Sequence, residues 1–223
     1  MRTSLPPAEL AEYVARQMEV FFPDGPVDRP RLRRGLDLAL DRLATCFAGI
    51  DLKYYRRDGE PVYDHLHTDQ HAALLYLLSH LLHRELGETA LATKAYALNK
   101  ALHGLDAFYE IELPPVFLFS HPLGSVLGRS RYGNYLVIYH QVTVGYDLDG
   151  NAPELGEGVV LFGGSRVIGR SRLGDNTWVT PGAIVMDQEF PGDSVIFGVP
   201  PATQRRPTKR DVVRDVFGRG GGG

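Results

Sequence analysis

From Leu155 to Val185 every sixth residue is aliphatic: Leu155, Leu161, Val167, Leu173, Val179 and Val185. A helix repeats its apolar face every three to four residues and a half-buried strand every second one, so neither yields a strict period of six. A coiled ribbon does. Hexapeptide repeats build a parallel β-helix in which each hexad forms one flat side and a turn, with its aliphatic residue directed into a shared interior. Four residues after each of the first five aliphatics stand Val159, Ser165, Ser171, Thr177 and Ala183, all small or β-branched, as the narrow interior of a prism requires. Carried backwards, the frame gives Val126, Tyr132, Ile138 and Val144, with Ser130, Leu136 and Val142 as companions. Eleven residues separate Val144 from Leu155, one hexad and five more, so a loop near Gly150 to Glu154 is expected to leave a corner. Such loops commonly carry function.

Residues 1 to about 105 read differently, as helices. Leu10, Val14 and Met18 share one face before Phe21-Phe22-Pro23 ends the segment. Asp28 is placed to cap a second helix with the stripe Leu32, Leu36, Leu40, Leu43 and Phe47, stopped at Gly49. Leu74, Leu77, Leu78, Leu81 and Leu82 mark a third, ending near Gly87. A fourth follows Thr89 with Leu91, Ala95, Leu98, Leu102 and Leu105. The rhythm breaks at Glu110-Ile-Glu-Leu-Pro-Pro115, and Phe197-Gly-Val-Pro-Pro201 ends strand pairing. The expected class is α+β: a helical domain over residues 1–105, a parallel β-helix over 106–203, and a flexible basic, glycine-rich tail over 204–223.

The net charge of −3 gives no reason to expect a nucleic-acid partner. No apolar run reaches the roughly 18 residues of a membrane span, and the start Met-Arg-Thr-Ser-Leu-Pro-Pro lacks a signal peptide's apolar core, so a cytoplasmic protein without membrane contact is expected. The single cysteine, Cys46, lies in an apolar run and reads as a core residue. Asp64-His65-Leu-His67-Thr-Asp69 invites a metal reading, but His65 and His67 straddle a leucine just before a helix start, and no metal is expected.

In order along the chain, His71-Ala-Ala-Leu-Leu-Tyr76, His121-Pro-Leu-Gly-Ser-Val-Leu-Gly128, Val142-Thr-Val-Gly145, Leu155-Gly-Glu-Gly158 and Phe197-Gly-Val-Pro-Pro201 resemble the serine O-acetyltransferase branch of the hexapeptide-repeat acyltransferases. The resemblance covers roughly residues 65 to 203 and implies a left-handed coil, an acetyl-CoA donor, a small-molecule acceptor, and a homo-oligomer that is a trimer or a dimer of trimers. It also implies a place in cysteine biosynthesis. Two departures stand out. The aspartate that the family sets before its catalytic histidine is Ser120 here, and its Arg-His before the loop proline is Asn151-Ala152 before Pro153. The cation expected to hold an amino acid's carboxylate is therefore missing, which leaves a sugar or natural-product hydroxyl or amine open as acceptor. A non-catalytic scaffold of the same fold stays open too.

An alcohol attacking a thioester needs a base within hydrogen-bond reach, and a carboxylate on the base's far nitrogen fixes its tautomer. By resemblance His121 is the base. Glu110, standing before Ile111, is the favoured carboxylate, with Asp106 and Glu112 as rivals. By the same resemblance Ser120 is expected beside the acceptor, and His140, nineteen residues after His121 and close to one coil further on, could share its corner. The resemblance also implies that an acid from the helical region, Asp69 or else Asp64, reaches the acceptor. Coenzyme A is expected in a groove between coils at Gly163, Gly164, Ser165, Gly182 and Ala183, with Arg205, Arg206 and Lys209 near its phosphates.

Overall fold

The hexad frame folds into a three-sided parallel coil in the computed structural model, which describes residues 1–218. The four glycines Gly220–Gly223, expected to hold no single conformation, lie outside the described residues. One side of the coil stacks Phe117–Phe119, Leu136–Ile138, Val160–Leu161, Thr177–Val179 and Ser194–Phe197. The second stacks Asp106–Ala107, Val126–Leu127, Thr143–Gly145, Arg166–Ile168 and Ile184–Met186, and the third Arg131–Tyr132, Glu154–Leu155, Arg172–Leu173 and Glu189–Phe190. The coil is left-handed.

Register confirms the period. Phe119, Ile138, Leu161, Val179 and Ile196 lie one above another, as do Val144, Val167 and Val185, and Tyr132, Leu155 and Leu173. All are buried, and so are the companions Val159, Ser165, Ser171, Thr177 and Ala183. The backward extension fails at one place. Val126 is 43% exposed, and the buried residue paired with Val144 is Leu127. Two local departures from six fall here, and the second, a short corner before Tyr132, explains the slip. Gln141 and Gly164 donate to the carbonyls of Leu123 and His140, so these corner turns stack; yet the chain takes five steps from Phe119 to Gly124 and only three from Ile138 to Gln141. The following corner is one residue short, with five steps from Leu127 to Tyr132 against six from Val167 to Leu173. The first corner therefore carries two extra residues, and His121 sits among them.

Four helices precede the coil: α1 (Pro7–Phe21), α2 (Arg29–Ala48), α3 (Thr68–Arg84) and α4 (Thr89–His103). Asp28 caps α2, accepting from Arg31 N, and Gly49 follows its end, both as expected. α3 packs between α2 and α4, so Asp69 through Ser79 are buried on every side. An added element is a small sheet. Arg56–Arg57 and Glu60–Tyr63 form a hairpin across Asp58-Gly59, both at positive φ, and Arg2–Thr3 joins in parallel. The segment entering the coil is pinned to the helices. The Tyr76 hydroxyl donates to Ile111 O and accepts from Leu113 N, while Arg42 donates to the carbonyls of Pro114 and Pro115.

Cys46 is fully buried, with its Sγ 3.3 Å from the Phe117 carbonyl, and burial pushes its thiol pKa up to about 11. A thiol reagent is expected to leave the native protein unmodified and to label one thiol per chain only after denaturation. Labelling of the folded protein at the rate of a free thiol would contradict that burial.

Within the described residues, 204–218 of the tail expected to be flexible fold instead. Gln204–Pro207 returns antiparallel to Ser194–Phe197, and a short helix, α5 (Val212–Asp215), follows. Val212 and Phe217 are buried, and Asp51 N donates to Phe217 O at 2.7 Å, tying the end of the described chain back to the helices. The missing signal was long range, since these apolar residues have no periodic neighbours in sequence. Phe217→Ala is expected to cost about 3–5 kcal/mol, read as a lowered urea midpoint. A midpoint within error of wild type would restore the flexible-tail expectation.

Candidate functional site

At the first corner, which carries the two extra residues, His121 takes a left-handed backbone conformation, φ 52°, and its side chain is 82% exposed. What holds the bulge is Asp69, in the first turn of α3 and only 8% exposed. Its Oδ2 accepts from His121 N at 3.1 Å and lies 3.7 Å from His121 Nδ1. The second distance is beyond a hydrogen bond. The first turn of a helix also suits an anion, because unpaired backbone N–H groups concentrate there. Thr68, Asp69, Leu102, His103, His121 and Leu123 border a cavity of about 290 Å³. The arrangement offers an accessible ring able to take a proton, a buried acid behind it, and room for a small molecule.

His140 lies at the same corner one coil on, exposed, and stacks over Leu123 rather than His121. Its ring lies on Gly163, where an added Cβ would come within 2.4 Å of Nε2 and displace the ring from its present place. Gly164 and Gly182 continue the stack, both at positive φ. Ser165 and Ala183 do not face the groove expected for coenzyme A. Both side chains are sealed inside the prism, because they occupy the inward companion position of the hexad. Arg205 and Arg206 are exposed on the returning strand, where Arg205 donates to Ser194 Oγ and Arg206 stacks over Phe197.

Glu110 is not brought to His121. Its carboxylate pairs with Arg129 at 2.9 Å and borders a different cavity of about 560 Å³ with Val126, Tyr146 and Ala152, because the short second corner draws Arg129 beneath it. The rivals are also engaged. Asp106 accepts from Tyr96 and Lys100; burial pushes its pKa up, but these hydrogen bonds outweigh it and hold the carboxyl below its ordinary value. Glu112 pairs with Arg84 at 2.6 Å. Asp64 turns away as well, accepting from Leu66 N and bordering a third cavity with Arg2, Lys53 and His67. Ser120 is half-buried at the bend, its N–H donating to Ile138 O. The acid beside the histidine is thus the one expected only to touch the acceptor. His103 went unnoticed in the sequence, having no motif of its own; the packing of α4 against α3 alone brings it here. Among the described residues no group of three or more His, Cys, Asp or Glu side chains is arranged to hold a metal.

These features define a class: a helical bundle leading into a left-handed hexapeptide coil, with an acid–imidazole pair at the seam between them. No family model matches the chain. Its sequence is similar to curated serine acetyltransferases, 28% identical over 107 residues to that of Synechococcus elongatus and 28% over 134 residues to that of Mycobacterium tuberculosis. The first match covers 46% of this chain and 43% of the relative, the second 58% of each, so the chain spans about half the length of these relatives. Solved structures share the fold over most of the chain. Serine acetyltransferase of Brucella abortus in complex with coenzyme A superimposes with a TM-score of 0.70 at 18% identity, covering 93% of this chain and 84% of that one. The Neisseria gonorrhoeae enzyme in complex with serine gives 0.66 at 22% identity, covering 90% and 83%.

Proposed function

We propose that this chain is an acetyl-CoA-dependent O-acetyltransferase acting on serine or a small serine-like hydroxyl, with His121 as general base and Asp69 steadying it. The observation that carries the reading is the exposed imidazole backed by a buried carboxylate at the mouth of a cavity of about 290 Å³, on a fold whose solved relatives were captured with serine and with coenzyme A. In the proposed reaction, His121 takes the hydroxyl proton as the acceptor oxygen bonds to the thioester carbonyl carbon. The tetrahedral intermediate then collapses, the C–S bond breaks, and the leaving thiolate takes the proton back from the imidazolium. Asp69 needs no proton of its own. Gly163, Gly164 and Gly182 keep the corners next to His140 free of side chains, which suits a groove for the pantetheine arm.

A second acceptor class is favoured by one observation. Asn151 stands where the family's arginine is expected, and its amide donates to Asp147 at 2.8 Å, so it cannot replace the missing cation. A sugar or natural-product hydroxyl or amine then becomes the substrate, with the chemistry unchanged. The test is free-thiol release from acetyl-CoA in the presence of a panel of amino acids, amino sugars and hydroxylated amines. Release with serine supports the first reading and release with a sugar alone supports the second. No release with any acceptor sinks both and leaves a scaffold. The buried Cys46 adds no background to that assay.

A cytoplasmic location, a role in cysteine biosynthesis and a trimer or pair of trimers go with this reading. No described helix is long and apolar enough to cross a membrane. The coil's third side carries alternating Arg131, Glu154, Arg172 and Glu189 beside a groove of about 740 Å³, a surface suited to another copy of the chain. Light scattering that gives a monomer would count against the assembly.

A further inference from the structure

Behind Asp69 runs a file of polar rings that the proposed chemistry leaves unused. The Tyr63 hydroxyl is 2.8 Å from His71 Nδ1, and both residues are 2% exposed. The His71 ring meets that of His103 edge-on, with centroids 5.5 Å apart. His103 ends α4, is half-buried and borders the His121 cavity. The Nε2 atoms of both histidines are buried without a hydrogen-bond partner. Orphaned buried nitrogens are uncommon and costly. Two of them on adjoining rings satisfy each other when one donates to the other, directly after a small rotation or through one water.

The file has a direction. The buried Tyr63 phenol has His71 Nδ1 as its one side-chain partner, and burial pushes its pKa up, so it keeps its proton and donates. Burial lowers the pKa of both imidazoles, that of His71 to about 3, so each is neutral and carries a single N–H. With Nδ1 accepting, His71 holds its proton on Nε2. His103 then accepts at Nε2 and carries its own proton on Nδ1, the nitrogen that is not sealed inside.

We infer that His103 presents a neutral Nδ1–H donor to the cavity beside His121 and selects acceptors with a hydrogen-bond-accepting oxygen close to the reacting hydroxyl, and that Tyr63 and His71 are positioning residues that set its tautomer. This rests on the transferase reading and narrows its acceptor. A neutral donor at the acceptor site, in a chain without the family's arginine, holds a carboxylate, ester or amide oxygen alike, because it makes a hydrogen bond without demanding a negative charge.

Two measurements on the full chain test the inference separately from the reaction. Nitrogen NMR of histidine-labelled protein reads the tautomer without turnover. The expected result is Nδ1–H at His103, lost in Tyr63→Phe, and an Nε2–H tautomer at His103 overturns the inference. Steady-state kinetics then reads the contact. His103→Leu is expected to raise the acceptor KM by about tenfold, the worth of one neutral hydrogen bond, and to leave the KM for acetyl-CoA within about twofold. His103→Asn, whose amide N–H lies near the Nδ1 position, is expected to restore the acceptor KM to within about threefold. An unchanged acceptor KM in His103→Leu, or no rescue by asparagine, overturns it. A wild-type protein inert with every acceptor sinks the transferase reading instead, and the tautomer result still decides the orientation of the file.

Discussion

Replacing His121 with alanine is expected to lower acceptor-dependent thiol release by about 10²–10⁴-fold, the usual contribution of a positioned general base. The side chain is 82% exposed and packs into no core, so the urea midpoint should move little. One structural effect must be separated from the chemical one. His121 has φ 52°, and alanine resists that conformation where asparagine accepts it. His121→Asn therefore keeps the bulge while removing the base, and the same loss of rate is expected in both variants. A variant that folds normally and retains more than about a third of wild-type turnover would remove the base from the mechanism, and His140 would be the next to test.

Asp69→Asn is expected to produce a loss of comparable size, about 10²–10⁴-fold in kcat, with the acetyl-CoA KM unchanged. The asparagine carbonyl can still accept the His121 backbone N–H that Asp69 Oδ2 accepts at 3.1 Å, so the corner stays in place. What disappears is the negative charge 3.7 Å from Nδ1, which favours the imidazolium formed as the hydroxyl proton moves. Glu110→Gln is the control. Its exposed pair with Arg129 contributes little to stability, and turnover within about twofold of wild type is expected. The reverse pattern, with Glu110 essential and Asp69 dispensable, would mean that the first corner rearranges when substrates bind.

The coil was legible because its period is enforced twice, once by the aliphatic at the inward position and again by the small residue four places on. The five-residue excess between Val144 and Leu155 was legible for the same reason, but the loop runs over 146–153, because Glu154, expected in it, pairs in the strand Glu154–Leu155. The helices showed through their stripes and through Asp28 and Gly49. The error at Val126 arose where two irregularities of opposite sign fall in neighbouring corners, so counting back from Tyr132 gave a plausible valine one place from the buried Leu127. The hairpin in the helical part had a signal that went unread, the Asp58-Gly59 pair between Arg57 and Glu60. Glu110 was favoured for its place before Ile111, whereas the partner of His121 comes from 52 residues upstream and is set by the packing of α3 against the coil's first turn. No local spacing encodes that contact, nor the ring file from Tyr63 to His103.

The bulge at the first corner has an evolutionary consequence. In a stack whose layers are locked by main-chain pairing, surplus length cannot be spread among neighbours and is extruded where it arises. Excising two residues from the segment 120–122 would leave a flush turn, remove the ledge that carries the proposed base and spare every layer above it, so a short indel at this corner would remove or restore the ledge without disturbing the coil.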